Sequence, residues 1–91
     1  MPTKHLLIKG KVQGVFYRAT AKDVAGKLGI TGWIKNTEDG HVEAMVTGPE
    51  LQLAQFINWC KQGPSRAVVA SVGEKEVAGE IFDGFRVIRG Q

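Results

Sequence analysis

Cysteine is nearly absent from this chain. Cys60 stands alone among 91 residues, so no intramolecular disulfide can form and nothing points to an oxidising compartment. Long apolar runs are missing as well. Leu6-Leu7-Ile8 is the whole apolar stretch near the N-terminus, too short for a signal-peptide core, and no segment reaches membrane-spanning length. A soluble, cytoplasmic chain with no membrane partner is therefore the expectation. The formal charge is only +3, with lysines and arginines scattered rather than run together, so charge alone names no polyanionic partner. Repeats, low-complexity tracts and linker-like stretches are also missing, and 91 residues leave room for one core. Residues 1–91 are expected to form a single domain. A chain of this size buries roughly 60 to 70% of its unfolded surface, enough to fold without a metal or disulfide staple.

What the sequence does carry is an ordered exchange of two periodicities. Between 5 and 12, Leu6, Ile8 and Val12 share one parity, Lys9 and Lys11 take the other, and Gly10 interrupts, which predicts a strand with one buried face. Ala21, Val24, Ala25 and Leu28 then fall at i, i+3, i+4 and i+7, predicting a helix with Gly29 as its left-handed cap. Segments 31–36 (TGWIKN) and 41–47 (HVEAMVT) read as the strands of a hairpin turned by Thr37-Glu38-Asp39-Gly40. A second helical stripe, Leu53, Phe56, Ile57 and Cys60, follows Pro49, placed as a first-turn proline, and stops at Gly63-Pro64. Segments 67–77 and 85–89 read as strands, with Gly79 and Gly84 bounding the loop between them. Strand, helix, strand, strand, helix, strand is the ferredoxin-like, split βαβ order. It predicts an α+β fold in which two helices lie on one face of an antiparallel sheet, with a short C-terminal strand added. Unrelated activities share that order, so function has to come from a site.

One loop has the chemistry of a site. GKVQGVFYR (10–18) joins the first strand to the first helix, where unpaired backbone N–H groups and the helix dipole favour an anion. Gly10 and Gly14 allow several amides to converge on one oxyanion, and Val12, Val15 and Phe16 cannot hydrogen-bond and so serve as walls. Arg18 adds a planar fork able to hold two oxygens of a phosphate or carboxylate at once. The competing reading is a glycine turn with a surface arginine near a helix start, and the segment alone leaves both open. Other phosphate chemistries fail here: there is no GxxxxGK[ST] loop, no GxGxxG, and Val12 stands where a cysteine phosphatase places its nucleophile.

The second segment of interest is GWIKNTEDGHVEAMVTG (32–48), in which Asn36 ends a strand beside the hairpin turn. An asparagine there is ordinarily a turn residue. Taken together, GKVQGVFYR and the spaced set Gly32-Trp33, Lys35-Asn36, Gly40, Val42 and Gly48 resemble the acylphosphatase family over the whole chain. Tyr17 stands where that family usually has Phe, and Ile34 where it tends to have a smaller residue. The resemblance implies hydrolysis of carboxylic-phosphoric mixed anhydrides to a carboxylate and inorganic phosphate, without metal or cofactor. It implies that Arg18 binds the phosphoryl group, that the amides of Gln13, Gly14, Val15, Phe16, Tyr17 and Arg18 complete the cradle, and that Asn36 positions the attacking water. The expected partners are a small acyl phosphate and inorganic phosphate as product and inhibitor, with no nucleic acid, no membrane and a monomeric chain.

The other candidates carry less. His5 and His41 have no metal-ligand spacing, Trp33 and Trp59 read as packing residues, and Cys60 lies on a buried helical stripe. Lys35 neighbours Asn36, but strand alternation turns it to the opposite face. Two functions of another class fit the same element order. An RNA-binding module would stack bases on aromatics of its central strands, and HLLIKGKV and HVEAMVTG hold none. A non-catalytic domain binding phosphate-bearing metabolites would use the same loop but would not need Asn36.

Overall fold

The computed structural model describes residues 1–89. The elements follow in the order β1 (Thr3–Lys11), α1 (Tyr17–Leu28), β2 (Thr31–Asn36), β3 (Val42–Thr47), α2 (Glu50–Gln62), β4 (Val68–Val77) and β5 (Phe85–Ile88). Each arises from the expected local signal with its bounds adjusted. The first strand starts earlier, at Thr3, and α1 begins one turn before its apolar stripe, at Tyr17. Gly29 closes α1 in the left-handed conformation, with φ 70° and ψ 25°. Pro49 precedes α2 at its N-cap position instead of lying within the first turn.

The strands form one sheet in the order β4-β1-β3-β2-β5. β1 pairs antiparallel with both β3 and β4, and β2 pairs antiparallel with β3. This is the ferredoxin-like arrangement of an α+β protein. The C-terminal strand β5 extends it by running parallel to β2, with Trp33 opposite Arg86 and Ile34 opposite Val87. The sheet is therefore mixed at that edge.

Register puts Leu6, Ala44 and Ile34 in one cross-strand row, and that row faces the helices. Ala21 and Ala25 of α1 and Leu53, Phe56, Ile57 and Cys60 of α2 close on Leu6, Ile8, Val42 and Val46 in one buried cluster. Small residues on α1 bring that helix close to the sheet, whereas Phe56, fully buried, fills the space under α2. Burial of such a side chain stabilises by roughly 1.5–3 kcal/mol.

Two further devices position the edge next to α1. The segment after β4 is pinned to the far ends of β1 and β3. There the Thr3 and Thr47 hydroxyls meet at 2.7 Å, and the Glu80 N–H donates to Thr3 Oγ1 at 3.2 Å. The Gly32 N–H then donates to the Gly84 carbonyl at 2.9 Å, which starts β5 alongside β2. On the other side, the β1–β4 register shifts between Lys9 and Gly10. Gly10 has φ 133°, and a Cβ there would lie 2.2 Å from the Val68 carbonyl oxygen, so only glycine lets the chain bend out of the sheet towards α1 at this point.

Candidate active site

The loop after β1 turns twice through positive φ: Gly14 at 74° and Phe16 at 64°. Phe16 is also the N-cap of α1, with φ 64° and ψ 22° and no capping side chain. A left-handed backbone at a residue with a Cβ costs about 1–2 kcal/mol, so the sequence places strain at this terminus. Positive φ at Gly14 and Phe16, two residues apart, is the kind of backbone that can turn successive amides towards one point. None of the described hydrogen bonds is donated by the backbone N–H groups of Gly14, Val15, Phe16, Tyr17 or Arg18. α1 carries no acidic residue in its first turn. Its positive end is thus neither capped nor neutralised from within the described chain.

The side chains around the loop hold it against neighbouring elements. Gln13 Nε2 donates to the carbonyls of Thr37 at 2.9 Å and His41 at 2.8 Å, tying the loop to both ends of the β2–β3 turn. Val12 and Val15 are both buried in the core. Arg18 Nη1 donates to the Ile88 carbonyl at 3.1 Å, so the C-terminal strand orients the guanidinium while leaving most of its five donors available.

Tyr17 shows why the phenol is useful here. Its hydroxyl donates to the Cys60 carbonyl at 2.7 Å. In an α-helix that carbonyl would receive the N–H four residues on, but the residue there is Pro64, which has none. The phenol supplies the missing donor, and the ring packs against Trp59 at a centroid distance of 5.1 Å. A Cβ at Gly63 would come within 2.9 Å of the ring, so the glycine that ends α2 also makes room for Tyr17. Burial is the main cause that raises the pKa of this phenol far above its ordinary value of 10.0. Burial likewise pushes the Cys60 thiol up to about 12. Cys60 is fully buried, and the neutral thiol is a packing group.

Asn36, the last residue of β2, shares the core-facing parity of Ile34. It comes to the same place as Arg18: both line a cavity of about 770 Å³ together with Gly14, Phe16, Tyr17 and Arg89. The Asn36 Oδ1 is buried and accepts no hydrogen bond from the described residues. Such an atom costs about 1–3 kcal/mol if left unpaired, and it belongs to a residue that lines the recess. Gln13, Arg18, Asn36 and Arg89 also border an adjoining cavity of about 460 Å³. Arg18, Lys22 and Arg89 face a single carboxylate, Asp23, around the larger cavity, which makes it an electropositive recess.

The structure thus brings together Arg18, Asn36 and the loop from Gln13 to Arg18, while Val15 contributes its side chain to the core. Three contributions went unread in the sequence: the tether at Ile88, Arg89, and the carboxamide of Gln13. A lone glutamine in an apolar loop was the only signal for the last, and the first two depend on which edge β5 joins. The remaining candidates lie elsewhere. His5 Nε2 is 2.6 Å from the Glu43 carboxylate on the face away from the helices. Lys35 sits 5.5 Å above the Trp33 ring and 3.7 Å from Glu43 on that same face. His41 has a buried Nδ1 without a partner but lines neither cavity. Among the described residues no group of three or more His, Cys, Asp or Glu is placed to hold a metal ion, and no helix is long and apolar enough to cross a membrane.

Comparison with known proteins adds an independent line. The acylphosphatase family model matches residues 4–87. An acylphosphatase from Marinobacter nauticus is 49% identical over 83 residues, covering 90% of each chain. The crystal structure of acylphosphatase from Bacillus subtilis superposes with a TM-score of 0.94 at 31% identity, covering 98% of this chain and all of that one. The structure of an acylphosphatase from Coxiella burnetii gives a TM-score of 0.92 at 36% identity, covering 96% of this chain and 92% of that one.

Proposed function

Since the chain belongs to the acylphosphatase family, whose members hydrolyse acyl phosphates, we propose that the loop amides and Arg18 seat the phosphoryl group of an acyl phosphate and that Asn36 orients the water that attacks it. The observation that carries this reading is that Asn36 lines the same recess as Arg18 while its Oδ1 has no hydrogen-bond partner among the described residues. A carboxamide there can accept a hydrogen bond from the water and donate one to a phosphoryl oxygen.

In this reading, a lone pair of the water oxygen forms the new bond to phosphorus as the bond from phosphorus to the bridging oxygen breaks. The electrons leave with the acyl carboxylate. A carboxylate is a good leaving group, so no general acid is required, and the barrier falls through orientation and through charge stabilisation at the equatorial oxygens. Arg18 meets two of those oxygens while its tether to Ile88 fixes the plane of the fork. The amides from Gln13 to Arg18 meet them at the positive end of α1. The water's proton passes to a phosphoryl oxygen of the substrate itself, because no carboxylate or imidazole is assigned as base. The reading gives no step to a metal ion or cofactor. It takes residues 1–91 as one domain acting as a cytoplasmic monomer.

The test is hydrolysis of benzoyl phosphate in ¹⁸O-labelled water with EDTA present. Label in the phosphate, competitive inhibition by inorganic phosphate and indifference to chelator are the expected results. Label in the benzoate would place attack at the carbonyl carbon instead, and activity lost to EDTA and restored by Mg²⁺ would overturn the assignment of charge stabilisation to Arg18 and the amides. Phosphate binding without turnover would favour the non-catalytic reading.

A further inference from the structure

We propose that the side chain of Phe16 is a platform for the acyl group of the substrate, selecting acyl phosphates with an aromatic or extended apolar acyl group over those with a small one. This rests on the reading above, in which the phosphoryl group sits on the loop amides.

Phe16 is anomalous among the aromatics of the chain. It is 74% exposed, whereas Tyr17 and Phe56 are buried and Trp33, Trp59, Phe82 and Phe85 are half-buried. The ring pairs found in the structure join Tyr17, Trp59, Phe56 and Phe85, and none includes Phe16. Its backbone is held left-handed, a conformation that glycine would adopt without strain. The side chain therefore gains little from the core, and the backbone would be easier without it. What Phe16 does have is a place in the lining of the cavity that holds Arg18 and Asn36, together with the apolar residues Ala19 and Val87.

Chain connectivity links this position to the chemistry. The N–H of Phe16 belongs to the cradle, and its ring is attached through the Cα and Cβ of the same residue. A phosphoryl group seated on that amide has its acyl carbonyl one bridging oxygen away, so the first carbons beyond the carbonyl come within reach of the ring and of Val87. Arg89 and Lys22 line the same recess, and Phe16 is the one exposed aromatic among the described residues that line it. An aromatic or extended acyl group there would bury apolar area against Phe16. A small acyl group, such as acetyl, would not extend far enough to do so. Burial of apolar area together with ring-to-ring contact is worth roughly 5- to 30-fold in specificity.

The experiment compares kcat/KM for benzoyl phosphate with kcat/KM for acetyl phosphate in the wild-type protein, Phe16→Ala and Phe16→Tyr. Taking the ratio within each protein cancels any general change in the cradle, and comparing the ratios between proteins cancels the intrinsic reactivity of the two compounds. The ratio is expected to fall roughly 5- to 30-fold in Phe16→Ala and to be largely retained in Phe16→Tyr. An unchanged ratio in Phe16→Ala overturns the platform while leaving the assignment of Arg18 and Asn36 intact. Wild-type protein that hydrolyses neither compound removes that assignment and the platform with it. If Phe16→Ala turns over too slowly to measure, calorimetric affinities for benzylphosphonate and methylphosphonate give the same ratio without turnover. A selective loss for the benzyl compound supports the platform, and equal losses for both overturn it.

Discussion

The two helices begin in opposite ways. Neither has a capping side chain at its N-terminus. α2 completes its own start: Pro49 needs no partner for an N–H, and Glu50 sets a carboxylate in the first turn, the sign the dipole favours. α1 begins on a strained, left-handed Phe16, has no acidic residue in its first turn and places Arg18 there. A cation at that end is unfavourable for the empty helix. One terminus is balanced by its own sequence, and the other keeps a positive potential that an external anion would relieve. The difference separates a helix start balanced by its own sequence from one suited to the anion-binding role proposed above, and Pro49 leaves α2 with three unsatisfied amides against four in α1.

The severest test of that contrast is removal of the cation from the open terminus. Arg18→Ala is expected to lower kcat/KM by on the order of 10³ to 10⁵, the scale of a phosphoryl-binding arginine, and to weaken inhibition by inorganic phosphate. Arg18→Lys should recover little, because an ammonium keeps the charge but loses the fork. Steady-state kinetics on both variants, after circular dichroism establishes folding, decide it, and unaltered phosphate inhibition in Arg18→Ala would return this terminus to an ordinary helix start.

Asn36→Ala asks whether binding and turnover separate within the site. Its kcat should fall by about 10² to 10³, while the phosphate inhibition constant changes little, since the cradle itself is untouched. A normal kcat would make Asn36 a turn residue and nothing more.

Tyr17→Phe then probes the bracket that joins the start of α1 to the end of α2. Losing the hydroxyl leaves the Cys60 carbonyl buried without a donor, at a cost of about 1–3 kcal/mol measured by urea denaturation. The same pair sets an alkaline limit. Cys60 and Tyr17 have folded pKa values raised above their ordinary 9.0 and 10.0, so the folded state holds protons that the unfolded chain releases. Their contribution to stability is fully present below about pH 9 and is lost as pH rises from there through 12. Denaturation midpoints recorded from pH 7 to 11 should decline over that window, and a flat profile would mean that neither group stays protonated by virtue of folding.

The smallest effect belongs to the balanced terminus. Glu50→Gln should cost about 0.3–1 kcal/mol and leave phosphate inhibition as it was. A change in inhibition there would mean that the two helix starts are not functionally distinct.

How far the sequence could be read follows the reach of each interaction. The hairpin, both helices and the central strands were legible because they rest on local periods: the alternation of Leu6, Ile8 and Val12, or the stripe of Leu53, Phe56, Ile57 and Cys60. The site was half legible. Gly14, Arg18 and Asn36 stand in recognisable spacings, but the hydrogen bonds from Arg18 to Ile88 and from Gln13 to the hairpin span distant parts of the chain, and no local pattern encodes them. The left-handed backbone of Phe16 was hidden because a phenylalanine does not announce positive φ as a glycine does. The bond from Tyr17 had a signal that went unused. Pro64 denies the Cys60 carbonyl its helical donor, and a buried tyrosine hydroxyl needs an acceptor. Those two facts together pointed to the pair.

The central position of β1 also governs how the molecule comes into being. Thr3 pairs with Thr47 on one side and with Val77 on the other, so β1 is made before both of its neighbours and waits for them. β2 gains its outer partner only when β5 arrives, and the carbonyl that orients Arg18 arrives with it. Large loops must close, with their entropy lost, before these pairings return any stabilisation, which makes folding slow for the chain's size. A nascent chain that has reached Thr47 already contains the loop, Arg18 and Asn36, yet one edge of its β1 is open and the guanidinium has no tether. The recess lined by Arg18 and Asn36 is therefore completed only once β5 has been made, and partly synthesised chains expose strand edges to one another before then.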